Sequence, residues 1–228
     1  LGMIPTGAAD PNGLRRCALG IIRTMLEFGL RLDVRELFAR AQELYGERQW
    51  KLGRDEALDK LLEFFTARLR NYWQSHGEDT LLVDAALGAG LADVPSCAAR
   101  LAALRDFSRT AGYAAAVQTF KRVSNILRKQ AGDCPGLTWE ASLLREAPEK
   151  ALAATLEELL PRLDALLEKG EHAAVLAALE EVRPAVDAFF DGVMVMAEEA
   201  DLRKNRLAML NALGSRFARL ADFAALQI

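Results

Sequence analysis

MAEEADLRKNRLAMLNAL, residues 196–213, decides the fold class. Placed on a helical wheel at about 100° per residue, Leu202, Met209, Leu213 and, just beyond the stretch, Leu220 define one core direction. Arg206 falls inside that apolar stripe, Arg203 lies at its edge, and Lys204 and Asn211 point away. An arginine in the core has to be paired or hydrogen-bonded, because an isolated charge is costly to desolvate. The stripe therefore predicts a structural Arg206 held by a carboxylate such as Asp187 or Asp191, and leaves Arg203 and Lys204 free to meet a ligand. Glu198, Glu199 and Asp201 stand where acids compensate a helix N-terminal dipole.

The same period recurs along the whole chain. The 228 residues are 51% hydrophobic and 7% aromatic, enough for one large or two modest cores, and no Val/Ile/Thr-rich alternating run bounded by turns interrupts the pattern. The fold class is all-α, a multi-helix bundle. Asp10-Pro11 predicts a helix start running to about Phe28 and stopped by Gly29, and Asp33 predicts the cap of a second helix reaching Tyr45. A third helix, Arg54 to Ser75, carries Leu58, Leu61, Leu62, Phe65 and Leu69 on one face. Shorter helices are expected near 78–88 and 95–109, and a longer one over 112–131. Two Ala/Leu-rich helices follow, from Pro148 to Lys169 and, after Gly170, to about Asp191; a last helix runs from about Glu198 to Leu226. Pro161 and Pro184 predict a kink or a split in the Ala/Leu-rich pair. Residues 1–50 read as the C-terminal end of a preceding helical domain and 51–228 as a second domain. The opening LGMIPTGAADPNGLRR reads as a chain entered in the middle, so a longer parent protein is expected.

Composition excludes several function classes. Cys17, Cys97 and Cys134 are odd in number and far apart, which argues against a disulfide framework or a zinc site and for a reducing compartment. Only His76 and His172 are available for histidine chemistry. No apolar run approaches the roughly 18 residues of a membrane helix, and FFDGVMVMA is broken by Asp191. Neither a phosphate loop, a GxGxxG turn, an HExxH helix nor a GxSxG elbow occurs. A cytoplasmic protein with no catalytic residue, no metal ligand and no membrane partner is the expectation.

Two segments carry candidate ligand contacts. In the helix beginning at Tyr113, the residues Tyr113, Val117, Phe120, Val123 and Leu127 share one face, and the other collects Gln118, Lys121, Arg122, Asn125, Arg128 and Lys129. No acid occurs between Asp106 and Asp133 in a chain of net charge -3, which makes that face a candidate phosphate-binding stripe. The competing reading is a solvated surface whose counter-charges come from neighbouring helices. ARLRNYWQ, residues 67–74, sets Arg68, Arg70, Asn71 and Tyr72 beside Trp73, a combination suited to gripping unstacked bases. Its competing reading is an amphipathic helix that ends in arginines, with Trp73 in the core.

Three blocks, MIPTGAADPNGLRRCALGIIR, FKRVSNILRK and FFDGVMVMAEEADLRKNRLAMLNAL, together resemble the C-terminal part of the β subunit of bacterial glycyl-tRNA synthetase. The first resembles the close of that subunit's HD-type domain, and the other two its helical anticodon-binding domain. The terminal helices are also similar to the anticodon-binding domain of arginyl-tRNA synthetase with its Asp-Ala-Leu-Arg signature. Here the matching positions are Ala200, Asp201, Leu202 and Arg203, so the leucine and arginine hold and the first two residues depart. In the first block the family's aromatic after Asp-Pro is replaced by Asn12.

The resemblance implies a part of a glycine-tRNA ligase that binds glycine tRNA but not DNA. It also implies an α-subunit partner in a heterotetramer, with ATP and Mg used on that subunit and no cofactor in this part. On this reading Lys121, Arg122, Arg128 and Lys129 bind phosphates. Arg68, Arg70, Tyr72 and Arg203 meet splayed bases, and Asn125 is a base-edge reader. The alternative is a helical interaction module whose Ala/Leu-rich helices, Pro148 to Asp191, dock the α subunit or other β domains.

Overall fold

The computed structural model describes residues 10, 12–46, 51–130, 136 and 138–227. The α-helices among them are α1 Leu14–Glu27, α2 Val34–Glu43, α3 Arg54–Ser75, α4 Thr80–Gly88, α5 Val94–Phe107, α6 Tyr113–Lys129, α7 Ala147–Lys169, α8 His172–Gly192 and α9 Ala200–Phe217. A 3-10 turn at Ala141–Leu143 precedes α7, and no strand occurs among the described residues. Two compact units, Leu1–Ala99 and Arg100–Ile228, divide within α5. The boundary expected between residues 50 and 51 falls inside the first unit, where α3 packs on α1, α2 and α4.

In the first unit α3 buries Leu58, Phe65, Leu69 and Trp73 along one stripe, with Phe65 edge-on to Phe38 of α2 at 5.2 Å. Leu61, expected on that stripe, is 41% exposed. The Asp33 carboxylate caps α2 by accepting from the Glu36 N–H at 2.8 Å. Helix α1 starts later than Asp10-Pro11 predicts: Gly13 is the N-cap, and the Asp10 carboxylate reaches forward to the N–H groups of Arg15 and Arg16 at 3.3 and 3.4 Å. Pro11 lies outside the described residues. Gly29, at φ 61°, follows the C-cap in the left-handed region that stops a helix cleanly.

The second unit is built around α9. Leu202, Asn205 through Leu210, Ala212 through Gly214, and Phe217 are all buried, so this helix is covered on most of its circumference. It packs against α6, α7 and the 3-10 turn, while α7 and α8 form a helical hairpin joined through Gly170 at φ 71°. Pro161 and Pro184 sit inside α7 and α8, which run unsplit. Both rings are exposed, so neither displaces core packing. The last helix ends at Phe217 rather than near Leu226. Turns over 218–226 return Phe223 against Phe217 at 5.2 Å and Phe120 at 5.4 Å, and bury Leu220, Ala221 and Leu226. The apolar period read from sequence places these residues inside, but a straight helix would have carried them past the bundle.

Arg206 is buried, as its place in the stripe predicts, but its partner is Glu149 rather than Asp187 or Asp191. Glu149 is the third residue of α7; one carboxylate oxygen meets the Arg206 guanidinium, and the other accepts from the N–H groups of Arg145 at 2.7 Å and Glu146 at 3.3 Å. Arg206 also donates to the Met194 carbonyl at 2.8 Å. Asp187 is engaged elsewhere, with Arg183 at 2.8 Å and the Thr119 hydroxyl at 2.6 Å. Next to Arg206, the buried Asn205 amide accepts from the Glu140 N–H at 2.7 Å and donates to the Glu140 carbonyl at 3.1 Å.

Arg206→Ala leaves Glu149 buried with its main counter-charge gone, and is expected to cost about 3–5 kcal/mol in urea unfolding. The double variant Arg206→Met/Glu149→Leu removes both charges and should recover most of that loss. A double variant as unstable as Arg206→Ala would show that packing rather than charge holds the site.

Candidate nucleic-acid interface

Helix α6 separates its faces as the period predicts. Ala116, Val117, Thr119, Phe120 and Val123 are buried, whereas Gln118, Arg122, Asn125, Arg128 and Lys129 are exposed and Lys121 is half-buried. Its outer surface holds an open depression of about 440 Å³ lined by Gln118, Lys121, Arg122, Asn125, Ile126 and Lys129. Four of the predicted contacts, Lys121, Arg122, Asn125 and Lys129, are thus brought together, and Arg128 stands beside them in the last turn. Arg128 and Lys129 also sit where cations suit a helix C-terminus. Gln118 and Ile126 join the lining without having been singled out as contacts; Gln118 could have been found from its spacing, four residues before Arg122 and seven before Asn125.

Two of the cations are oriented by neighbours. Lys121 Nζ donates to the Leu226 carbonyl at 2.8 Å, which ties the C-terminal turns to α6. The Arg122 guanidinium lies over the Phe190 ring of α8, 4.1 Å from its centroid. Among the described residues, no carboxylate forms an ion pair with Lys121, Arg122, Arg128 or Lys129. By contrast Arg145, Arg162, Arg183, Arg206, Arg216 and Arg219 of the same unit each pair with an acid. The neighbouring helices therefore do not supply the counter-charges that the solvated-surface reading requires.

The other predicted contacts do not line this depression. Arg203 turns back on the chain entering α9, donating to the carbonyls of Ala197 at 2.8 Å and Glu198 at 3.3 Å. In the first unit, Arg70 of α3 grips Asp84 of α4 with two hydrogen bonds, of 2.5 and 2.8 Å. These hydrogen bonds hold the Asp84 carboxyl below the usual carboxylate range and raise Arg70 above the usual arginine value. Arg68 lies over Phe64 at 5.7 Å and Tyr72 against His76 at 4.2 Å, so these residues form a row along α3 at a spacing of four. Arg68 Nε is buried and has no hydrogen-bond partner. Trp73 is core. No group of three or more metal-ligating side chains occurs among the described residues, and none of their helices is long and apolar enough to cross a membrane.

Residues 1–88 match the model of the glycyl-tRNA synthetase beta subunit, and residues 116–222, which include all of α6 except its first turn, match the DALR anticodon binding domain. Over its whole length the chain is 58% identical to the glycine-tRNA ligase beta subunit of Nitratidesulfovibrio vulgaris strain Hildenborough. It is 55% identical to that of Oleidesulfovibrio alaskensis and 52% to that of Solidesulfovibrio magneticus. The chain spans 33% of the length of each of these relatives.

The Arg70–Asp84 pair predicts a pH dependence. Because the folded protein lowers the Asp84 pKa, its contribution is complete above the unfolded value, about 3.9, and is lost as pH falls through the lowered one. Both side chains are about a third exposed, so Asp84→Asn should cost under about 1 kcal/mol at pH 7. That cost should shrink as pH falls below about 3.9, which urea unfolding at pH 7 and at successively lower pH checks.

Proposed function

We propose that this chain, which belongs to the glycyl-tRNA synthetase beta subunit family, is the anticodon-arm-binding part of a glycine-tRNA ligase. The observation that carries this reading is the α6 face, where cations without carboxylate partners among the described residues surround an open depression, in a unit where Arg145, Arg162, Arg183, Arg206, Arg216 and Arg219 each pair with an acid. A cationic strip with amide side chains between its charges suits a phosphate backbone with exposed bases. Lys121, Arg128 and Lys129 take phosphates, and Asn125 reads a base edge. Arg68 and Tyr72 offer a separate contact on α3. In the intact cytoplasmic enzyme, glycine is joined to its tRNA at the expense of ATP. This reading assigns adenylate formation, with ATP and Mg, to the α subunit of a heterotetramer, and gives this chain RNA binding without an active site.

The docking-module alternative calls for an apolar surface on α7 and α8. Leu152, Leu156, Leu159, Leu163, Leu176 and Leu179 are buried, Leu160, Leu166 and Leu167 are half-buried, and no exposed large hydrophobic among the described residues lies on either helix. RNA binding is the better-supported reading.

Arg128→Ala/Lys129→Ala removes two exposed cations that form no hydrogen bond or ion pair through their side chains among the described residues. It should weaken every RNA alike and reduce the slope of log affinity against log salt by about 1.4. Asn125→Ala should cost about 1–3 kcal/mol on RNAs with the cognate anticodon and nothing on others. An unchanged slope in the double variant would remove α6 from the interface.

A further inference from the structure

The contact between Arg122 and Phe190 gives Arg122 a role different from that of its neighbours. A guanidinium that only neutralises phosphate gains from mobility and full hydration. This one is parked over an aromatic ring at 4.1 Å, and that ring, from another helix, is itself only 7% exposed. Phe190 in turn touches Phe189 at 5.8 Å, and Phe189 is fully buried, so the support beneath the guanidinium is anchored in the core. Arg122 is nevertheless exposed and lines the depression.

The rest of the lining fits a flat, neutral, hydrogen-bonding ligand. Gln118 and Asn125 lie on either side of Arg122 along the same helix face, and each amide carries both donors and an acceptor. Ile126 adds an apolar surface, and no acid among the described residues lines the depression. Its volume, about 440 Å³, lies within the range of small-ligand sites. An arginine held planar on an aromatic side chain presents a π-surface on which a base can stack, which a lysine cannot provide.

We infer that Arg122 is a stacking platform for one unpaired nucleobase, positioned by Phe190, with Gln118 and Asn125 at the base edge and Lys121 and Lys129 at the flanking phosphates. The inference rests on the RNA-binding reading above and refines it, since sequence alone grouped Arg122 with the phosphate contacts. Phe190 is then a positioning residue that never touches RNA.

The test is a binding cycle with glycine tRNA transcripts, one intact and others with a single anticodon nucleotide made abasic. Arg122→Lys keeps the charge and loses the plane. It should bind the intact transcript about 5- to 100-fold more weakly with an unchanged salt slope, and should bind one abasic transcript as well as the unsubstituted chain does. Phe190→Leu, checked for folding by thermal melting, should reproduce that pattern, which loss of packing alone would not confine to one nucleotide. Should Phe190→Leu fail to fold, Phe190→Met, which removes the ring and keeps most of the volume, replaces it and should show the same loss confined to that nucleotide. Equal binding by Arg122→Lys and the unsubstituted chain, or a loss spread over all transcripts alike, overturns the inference. Failure of the unsubstituted chain to bind any transcript at low salt would instead overturn the RNA-binding reading beneath it.

Discussion

Glu149 and Arg206 are both withdrawn from solvent, and the second unit is organised around keeping them together. Desolvating either charge alone is prohibitive, so α9 can occupy the centre of the unit only with the N-terminus of α7 beside it. The pair is completed from three directions. Two backbone N–H groups at the start of α7 reach one carboxylate oxygen, the helix N-terminus itself favours the negative charge, and the Met194 carbonyl accepts from the guanidinium. Asn205 and Arg203 continue the same task on either side, tying Glu140 and the carbonyls of Ala197 and Glu198 to the helix. The run Arg203-Lys204-Asn205-Arg206 is therefore mainly structural: three of its four side chains fasten flanking segments to α9, and the exposed Lys204 is the exception.

That internal use of charge gives the α6 face its meaning. Arg216 grips Asp164 through two hydrogen bonds, and Arg183 and Thr119 share Asp187, so acids of α7 and α8 are spent on joining helices. Salt bridges of this exposed or half-exposed kind contribute little stability each, but they remove carboxylates from the surface. Among the described residues Lys121, Arg122, Arg128 and Lys129 of α6 stay without a carboxylate partner, and four such cations on one helix make a locally positive face in a chain of net charge -3.

The helical class, the extent of α3 and the two faces of α6 were legible because each depends on period and on residue type within one segment. The burial of Arg206 was legible for the same reason. Its partner was not, because Asp187 and Asp191 are the nearer acids in sequence and only the packing of α7 on α9 brings Glu149 closer. The end of α9 was not legible, because the apolar spacing of Leu220 and Leu226 is satisfied equally by turns that fold Phe223 back onto Phe217. At the candidate site, the grouping of Lys121, Arg122, Asn125 and Lys129 could be read from spacing on one helix. The seat of Arg122 on Phe190 could not, since it depends on how α6 meets α8. Arg70 and Arg203 looked free in sequence for a related reason: Asp84 and the carbonyls of 197 and 198 reach them only after folding.

The central claim is that this surface distinguishes an anticodon rather than attracting any polyanion. The most direct measurement is the affinity of the chain for glycine tRNA and for the same tRNA with its anticodon replaced, each across a range of salt. Tighter binding to the cognate tRNA that persists as salt weakens both is the predicted result. Equal affinity for the two at every salt concentration would contradict it and reduce the α6 face to nonspecific attraction.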